Sequence, residues 1–151
     1  MKIFKYFFQF LILLILFLFY KILGLRLSSE ISSFLVKFVG PFFRSKKIIN
    51  SNLLKAFPNL GKKELDKISV EMWGNYGRIL SEYMFIKKFR KTNLKYNLEV
   101  NGQEILEQIK NNGEQVIFFS GHFNNFELMA MHIENSGINL AAIYRPLNNK
   151  F

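Results

Sequence analysis

The pattern of apolar and polar positions begins with one long apolar segment. Residues 6–25, YFFQFLILLILFLFYKILGL, are interrupted only by Gln9 and Lys21. A helix needs about 20 mostly apolar residues to cross a bilayer, so we predict a retained N-terminal membrane anchor. A cleaved signal peptide and a buried core helix are the alternatives, although no small-residue cleavage site follows.

Helical spacing recurs after a second apolar stretch, ISSFLVKFVG, which is expected to stay at the membrane or to pack on the anchor. SKKIINSNLLKAF is predicted to be a helix that stops at Pro58. KKELDKISVEMWGNYGRILSEYMFI is predicted to be a long amphipathic helix. The residues expected on its apolar side are Leu65, Ile68, Met72, Tyr76, Ile79 and Leu80.

The remaining segments alternate between predicted strands and short helices. LKYNLEV, QVIFFS and NLAAIYR are the strand candidates, and the helices between them are expected to end at Gly113 and Gly137. Near-continuous apolar strands joined by helices favour a parallel sheet with helices packed on it. The predicted fold class is therefore α/β. A membrane anchor with a juxtamembrane apolar segment (1–40) precedes a part (41–151) whose helices pack on a mostly parallel sheet.

The distribution of charge along the chain indicates an anionic partner. Through Lys63, 11 of the 21 Lys and Arg residues occur with only one of the 11 acidic residues. Basic residues beside a hydrophobic anchor are attracted to anionic lipid by about 1 kcal/mol each. We expect a membrane surface and not nucleic acid, for which no binding motif is present. The absence of cysteine excludes disulfides and thiolate chemistry, and no metal site is expected.

Candidate chemistry lies in SGHFNNFE, directly after the second strand candidate. His122 and Glu127 would lie about 140° apart on a regular helix, so they can meet only if the backbone bends between them. Gly121 permits such a bend, and Asn124 or Asn125 is expected to cap the helix that follows. The competing interpretation is purely structural, because an Asn cap with Glu three residues later is typical of a capping box.

SGHFNNFE resembles the H-x4-(D/E) block of glycerolipid-type acyltransferases. With two asparagines and Glu, it is most similar to the lauroyl and myristoyl acyltransferases of lipid A biosynthesis. Three further segments resemble blocks of that family in the same order, namely NSNLLKAFPNLGKKELDKI, MWGNYGRILSEY and AAIYRPLNNK. The resemblance therefore extends over nearly the whole chain.

The resemblance implies transfer of a fatty acyl group from acyl carrier protein to a hydroxyl of a lipid A precursor, without a further cofactor. It implies a location at the bacterial inner membrane with the catalytic part on the cytoplasmic face, which the basic residues after the anchor also favour. His122 would be the general base and Glu127 its orienting carboxylate. Gly121, Asn124 and Asn125 would donate hydrogen bonds to the oxyanion.

Arg145 would bind a phosphate of the precursor or of the carrier's phosphopantetheine, unless it caps a helix or pairs with an acid. Members of the family are longer than this chain, so we expect a fragment that holds the N-terminal half of the domain. Two other functions stay open. One is a phospholipid acyltransferase of the glycerol-phosphate type, and the other is a membrane-anchored protein without catalysis.

Overall fold

The computed structural model describes residues 2–90, 98–143 and 149. Its elements in chain order are α1 (Lys2–Val39), a 3-10 turn (Gly40–Phe42), α2 (Lys46–Ala56), α3 (Lys62–Tyr83), α4 (Ile86–Arg90), α5 (Gln103–Asn112) and α6 (Glu127–Asn135). The chain forms two compact units, residues 17–84 and residues 1–16 together with 85–151. Helices dominate both units.

The predicted parallel sheet is wrong, because the described residues contain no strand. Residues 115–120 and 139–143 are irregular, as are residues 98–100, while 94–97 and 144–145 lie outside the described ranges. Ile117 and Phe119 are 81% and 90% exposed. An apolar run shows that a segment favours leaving water, but a strand also requires a hydrogen-bonded neighbour. The sequence pattern does not specify that neighbour.

The helix predictions are confirmed for α2, α3, α5 and α6. Both predicted glycine terminators have positive φ, 65° at Gly113 and 85° at Gly137. The N–H of Gly137 donates to the Glu134 carbonyl at 2.9 Å, which satisfies a carbonyl that the helix leaves open. These ends are set by local backbone chemistry, and the sequence predicts them correctly.

A bend interrupts α1 at Gly24, whose φ of 77° and ψ of 170° are not helical. Across this bend, the hydroxyl of Tyr20, before Gly24, donates to Oγ of Ser32, after it, at 2.7 Å, and both side chains are buried. Twelve residues of straight helix would separate the two by about 18 Å, beyond the reach of a tyrosine. Residues 25–39 of α1 therefore fold back beside Tyr20, and the bend at Gly24 permits it.

Small residues form the contact between α3 and residues 25–39 of α1. Ser32 and Ser33 are buried against Gly77, where a methyl group would overlap the Ser32 carbonyl. The predicted apolar side of α3 is thus mostly not its packing side. The residues of α3 that are buried are Leu65, Ser69, Gly74, Gly77 and Ser81, whereas Tyr76 is 57% exposed. Backbones can approach closely at such positions because no large side chain intervenes.

Charged pairs tie the same helices together at their surface. Lys37 Nζ donates to Glu71 Oε1 at 2.7 Å, and this bond holds the pKa of Glu71 below its usual value. Lys46 of α2 pairs with Asp66 of α3 at 2.6 Å. Exposed pairs of this kind stabilise a fold only slightly. Their main effect here is to favour the observed pairing of α3 with α1 and α2.

The unit that contains residues 85–151 brings α4, α5 and α6 together. His132 Nε2 of α6 lies 2.7 Å from Gln103 Oε1 of α5, which joins the two helices by a part-buried hydrogen bond. Arg90 of α4 pairs with Glu134 of α6. His132 is accordingly a structural residue here. These contacts fix the position of α6, whose first turn carries the candidate site.

Candidate active site

The segment before α6 bends sharply around His122. The Phe123 N–H donates to the Gly121 carbonyl at 2.8 Å, which closes a three-residue turn. Asn124 has φ of 46°, a left-handed conformation that asparagine tolerates better than most residues. A Cβ at position 121 would overlap the Phe123 ring as it is placed here, so a larger residue at this position would require that ring to move. The backbone thus bends between His122 and Glu127, as their spacing demands.

The His122 side chain is exposed and lies on an aromatic ring. Its imidazole stacks on Phe126, with ring centroids 4.3 Å apart and an angle of 20° between the planes. This contact restricts where the imidazole can point although the residue is open to solvent. Sequence reasoning missed Phe126, and the one signal for it is an aromatic residue four positions after the histidine.

Glu127 is the first residue of α6 and is partly exposed. The N-cap position is occupied by Phe126 and makes no side-chain cap hydrogen bond. The expected asparagine cap is therefore wrong, and with it the capping-box interpretation of Glu127. In this structure no hydrogen bond or ion pair joins the Glu127 carboxylate to His122 among the contacts of the described chain. The bend therefore lies between two residues that make no direct bond to each other.

A groove of about 570 Å³ runs past Glu127. It is lined by Ile86, Lys87, Arg90, Glu127, Ala130, Met131, Glu134 and Leu140. Its polar part combines the Arg90–Glu134 pair with Lys87 and Glu127, and the remainder is aliphatic. A groove with this lining can bind a molecule that has both an anionic group and an alkyl portion. Sequence reasoning did not single out Lys87, although it stands in a basic run after α3.

The other predicted site residues have the following positions. Asn124 and Asn125 lie in the bend, with Asn124 exposed and Asn125 buried. Gly121 precedes them in the same turn. Arg145 lies outside the described residues, so its predicted phosphate contact stays a prediction. Within the described ranges, no group of three or more His, Asp or Glu side chains could hold a metal ion.

Comparison with known families decides the assignment. The whole chain, residues 1–151, matches the sequence profile of a family described as bacterial lipid A biosynthesis acyltransferase. The chain belongs to this family. The resemblance of SGHFNNFE and the three other blocks is thereby confirmed. No curated protein and no solved structure matches the chain significantly.

Membership of the lipid A acyltransferases makes the chain an acyltransferase by family. It also points to a lipid substrate and to association with a membrane. The structure has one described helix, Lys2–Phe42 with its 3-10 turn, that is long and apolar enough to cross a bilayer by length and composition. The turn at His122 and the groove at Glu127 are the candidate catalytic and substrate-binding parts of this lipid A acyltransferase.

Proposed function

We propose that this lipid A acyltransferase transfers a fatty acyl group from acyl carrier protein to a hydroxyl of a lipid A precursor. The reaction takes place at the cytoplasmic face of the inner membrane, to which α1 anchors the chain. The observation that carries the proposal is the family match over residues 1–151, because it includes the turn with His122 and Glu127.

The chemical step needs a base. The acceptor is an alcohol, which attacks a thioester carbonyl effectively only when its proton is removed in the transition state. His122 accepts that proton while the alcohol oxygen forms the new C–O bond. The tetrahedral intermediate then expels the carrier's thiolate, which takes the proton from the imidazolium. One ester and one free thiol result, and His122 returns to its starting form.

Glu127 assists by holding the imidazole in the correct tautomer and by stabilising the imidazolium. His122 stacks on Phe126, the neighbour of Glu127 in the chain, and we infer that the imidazole and the carboxylate meet when substrate binds. Catalytic hydrogen bonds often tighten only when substrate is bound. The exposed position of His122 leaves room for the acceptor to approach.

Two cations of the chain bind the anionic groups of the substrates. Lys87 lies in the same groove as Glu127 and is suited to a phosphate group. Arg145, on the segment after residue 143, is a second candidate, since an arginine can bind phosphate through two parallel hydrogen bonds. The aliphatic lining of the groove, including Met131 and Leu140, suits the alkyl part of either substrate.

The experiment that tests this function identifies the acceptor. The full chain, reconstituted in vesicles, is incubated with acyl carrier protein charged with a fatty acid and with two competing acceptors, a lipid A precursor and glycerol 3-phosphate. Products are separated and their masses determined. We expect the lipid A precursor to gain one acyl chain while glycerol 3-phosphate remains unchanged.

Two outcomes would overturn the proposal. Acylation of glycerol 3-phosphate alone would favour the phospholipid acyltransferase alternative. Intact donor with neither acceptor modified would show that this chain is not active by itself, as expected of a membrane-anchored protein without catalysis. A heat-denatured sample of the same preparation is the control for uncatalysed transfer.

A further inference from the structure

In the part of α1 that follows Gly24, small polar side chains are buried and large apolar side chains are exposed, which is the opposite of the usual pattern. Ser28, Ser32 and Ser33 are buried, with exposed fractions of 0%, 0% and 5%, and Ser32 and Ser33 lie against glycines of α3. In a water-soluble unit the large apolar side chains take the buried positions. In a bilayer they gain nothing by leaving lipid, so helices associate through small residues instead. The α1–α3 contact has the second arrangement.

Most of the large apolar side chains of this segment, and those directly after it, are exposed. They form an outer face that consists of Leu27, Phe34, Leu35, Phe38, Phe42 and Phe43, all of them exposed. Their spacing follows the helical period, and Phe34 and Phe38 contact each other edge to face at 4.9 Å. Phe42 and Phe43, in the turn after α1, are 89% and 81% exposed. Contiguous exposed aromatics of this extent mark an interaction surface.

Cations border this outer face where the chain enters α2. Arg44, Lys46 and Lys47 follow the two phenylalanines, and no acidic residue occurs between Glu30 and Glu64. Lys46 is paired with Asp66, whereas Arg44 and Lys47 are exposed at the start of α2. Aromatic side chains followed at once by cations fit the boundary between acyl chains and anionic headgroups.

We propose that the outer face, with Arg44 and Lys47, is a second membrane contact that lies on the surface of an anionic bilayer. It is separate from the apolar helix before Gly24, which is the anchor. The aromatic side chains enter the upper acyl region and the two cations meet lipid phosphates. This contact would hold residues 25–84 on the membrane surface instead of leaving them tethered by the anchor alone.

The contact can be measured without any assay of acyl transfer, so its failure is distinguishable from failure of the proposed reaction. The chain has no cysteine, which allows a single label. Ser45→Cys places an environment-sensitive fluorophore beside Phe43, at an N-cap position whose side chain makes no cap hydrogen bond. Asn59→Cys, exposed beyond the other end of α2, is the matched control.

The full chain is reconstituted in vesicles of phosphatidylcholine with phosphatidylglycerol that carry a lipid-attached nitroxide quencher. We expect strong quenching and a blue shift of the label at position 45, and little of either at position 59. Phe42→Ser with Phe43→Ser should lower the quenching at position 45 at least severalfold, whereas Phe57→Ser, a change of an exposed phenylalanine outside the outer face, should not.

The charge component has its own readout. In pure phosphatidylcholine vesicles, quenching at position 45 should be weaker, and Arg44→Gln with Lys47→Gln should remove the difference between the two lipids. Equal quenching at positions 45 and 59 in anionic vesicles would overturn the proposal. So would energy transfer between labels of two chains without lipid quenching, since a second copy would then cover the outer face.

Discussion

Replacing His122 by alanine is expected to lower the initial rate of acyl transfer by about 10²–10⁴-fold, the usual contribution of a general base. The side chain is exposed and its described ring contact is with Phe126, so the substitution should leave the fold unchanged. Initial rates are measured with both substrates saturating, and far-UV circular dichroism with vesicle association checks that helices and membrane binding persist.

The second histidine of the chain supplies a matched control. His132→Ala removes the same imidazole from α6 and breaks a hydrogen bond to Gln103, so it should cost some stability but at most a few-fold in rate. Equal losses for His122→Ala and His132→Ala would mean that both changes act through folding, and the assignment of the base would be wrong. Glu127→Gln, which keeps the shape and removes the charge, should have an intermediate effect.

Replacing Gly77 by alanine is expected to destabilise residues 17–84 by about 1–3 kcal/mol, the usual cost of overpacking. The added methyl group would overlap the backbone of α1 at Ser32 and Ser33. Backbone atoms cannot rotate away, so the two helices must separate. This loss should exceed the gain of about 1 kcal/mol that alanine has over glycine within a helix. Thermal unfolding in detergent micelles, followed by circular dichroism, measures the difference.

Gly74→Ala is the control for that substitution, one turn earlier on α3. A methyl group there would meet the flexible end of Lys37 and the Ser33 hydroxyl, and side chains of this kind can move. We expect Gly74→Ala to be close to neutral. If both variants unfolded at the same temperature as the wild type, the close contact between α1 and α3 would not exist in the protein.

Helices could be predicted from the sequence because their signals are local. The break before Pro58 and the glycines at 113 and 137 act within a few residues of the helix that they end. The bend at His122 belongs to the same class, since Asn124 is a residue type that tolerates a left-handed backbone conformation. Such features require no knowledge of the rest of the fold.

Features that depend on distant partners were predicted incorrectly. The apolar run at 115–120 suggested a buried strand, yet its pairing is not encoded in its own pattern, and Phe119 is exposed. The apolar stripe of α3 suggested a packing side, but packing follows Ser69, Gly74, Gly77 and Ser81, because residues 25–39 of α1 also offer small residues. Helical periodicity identifies a distinct face without identifying its partner.

The candidate site shows the same division. The motif SGHFNNFE identified the family, and the profile match over the whole chain confirms it. The contact of His122 with Phe126 could not be foreseen, since stacking depends on how the turn closes. Roles in the reaction stay predictions for all six site residues, His122, Glu127, Arg145, Gly121, Asn124 and Asn125. The substitutions above test the first two.

The most direct test of a base at His122 is the mass of the intact protein when acyl donor is supplied without acceptor. If His122 is a base, the nucleophile is the hydroxyl of the acceptor. Without acceptor, the protein should therefore keep its mass and the carrier should stay acylated. Appearance of an acylated protein, together with one equivalent of free carrier thiol, would contradict this, because His122 or another side chain would then be the nucleophile.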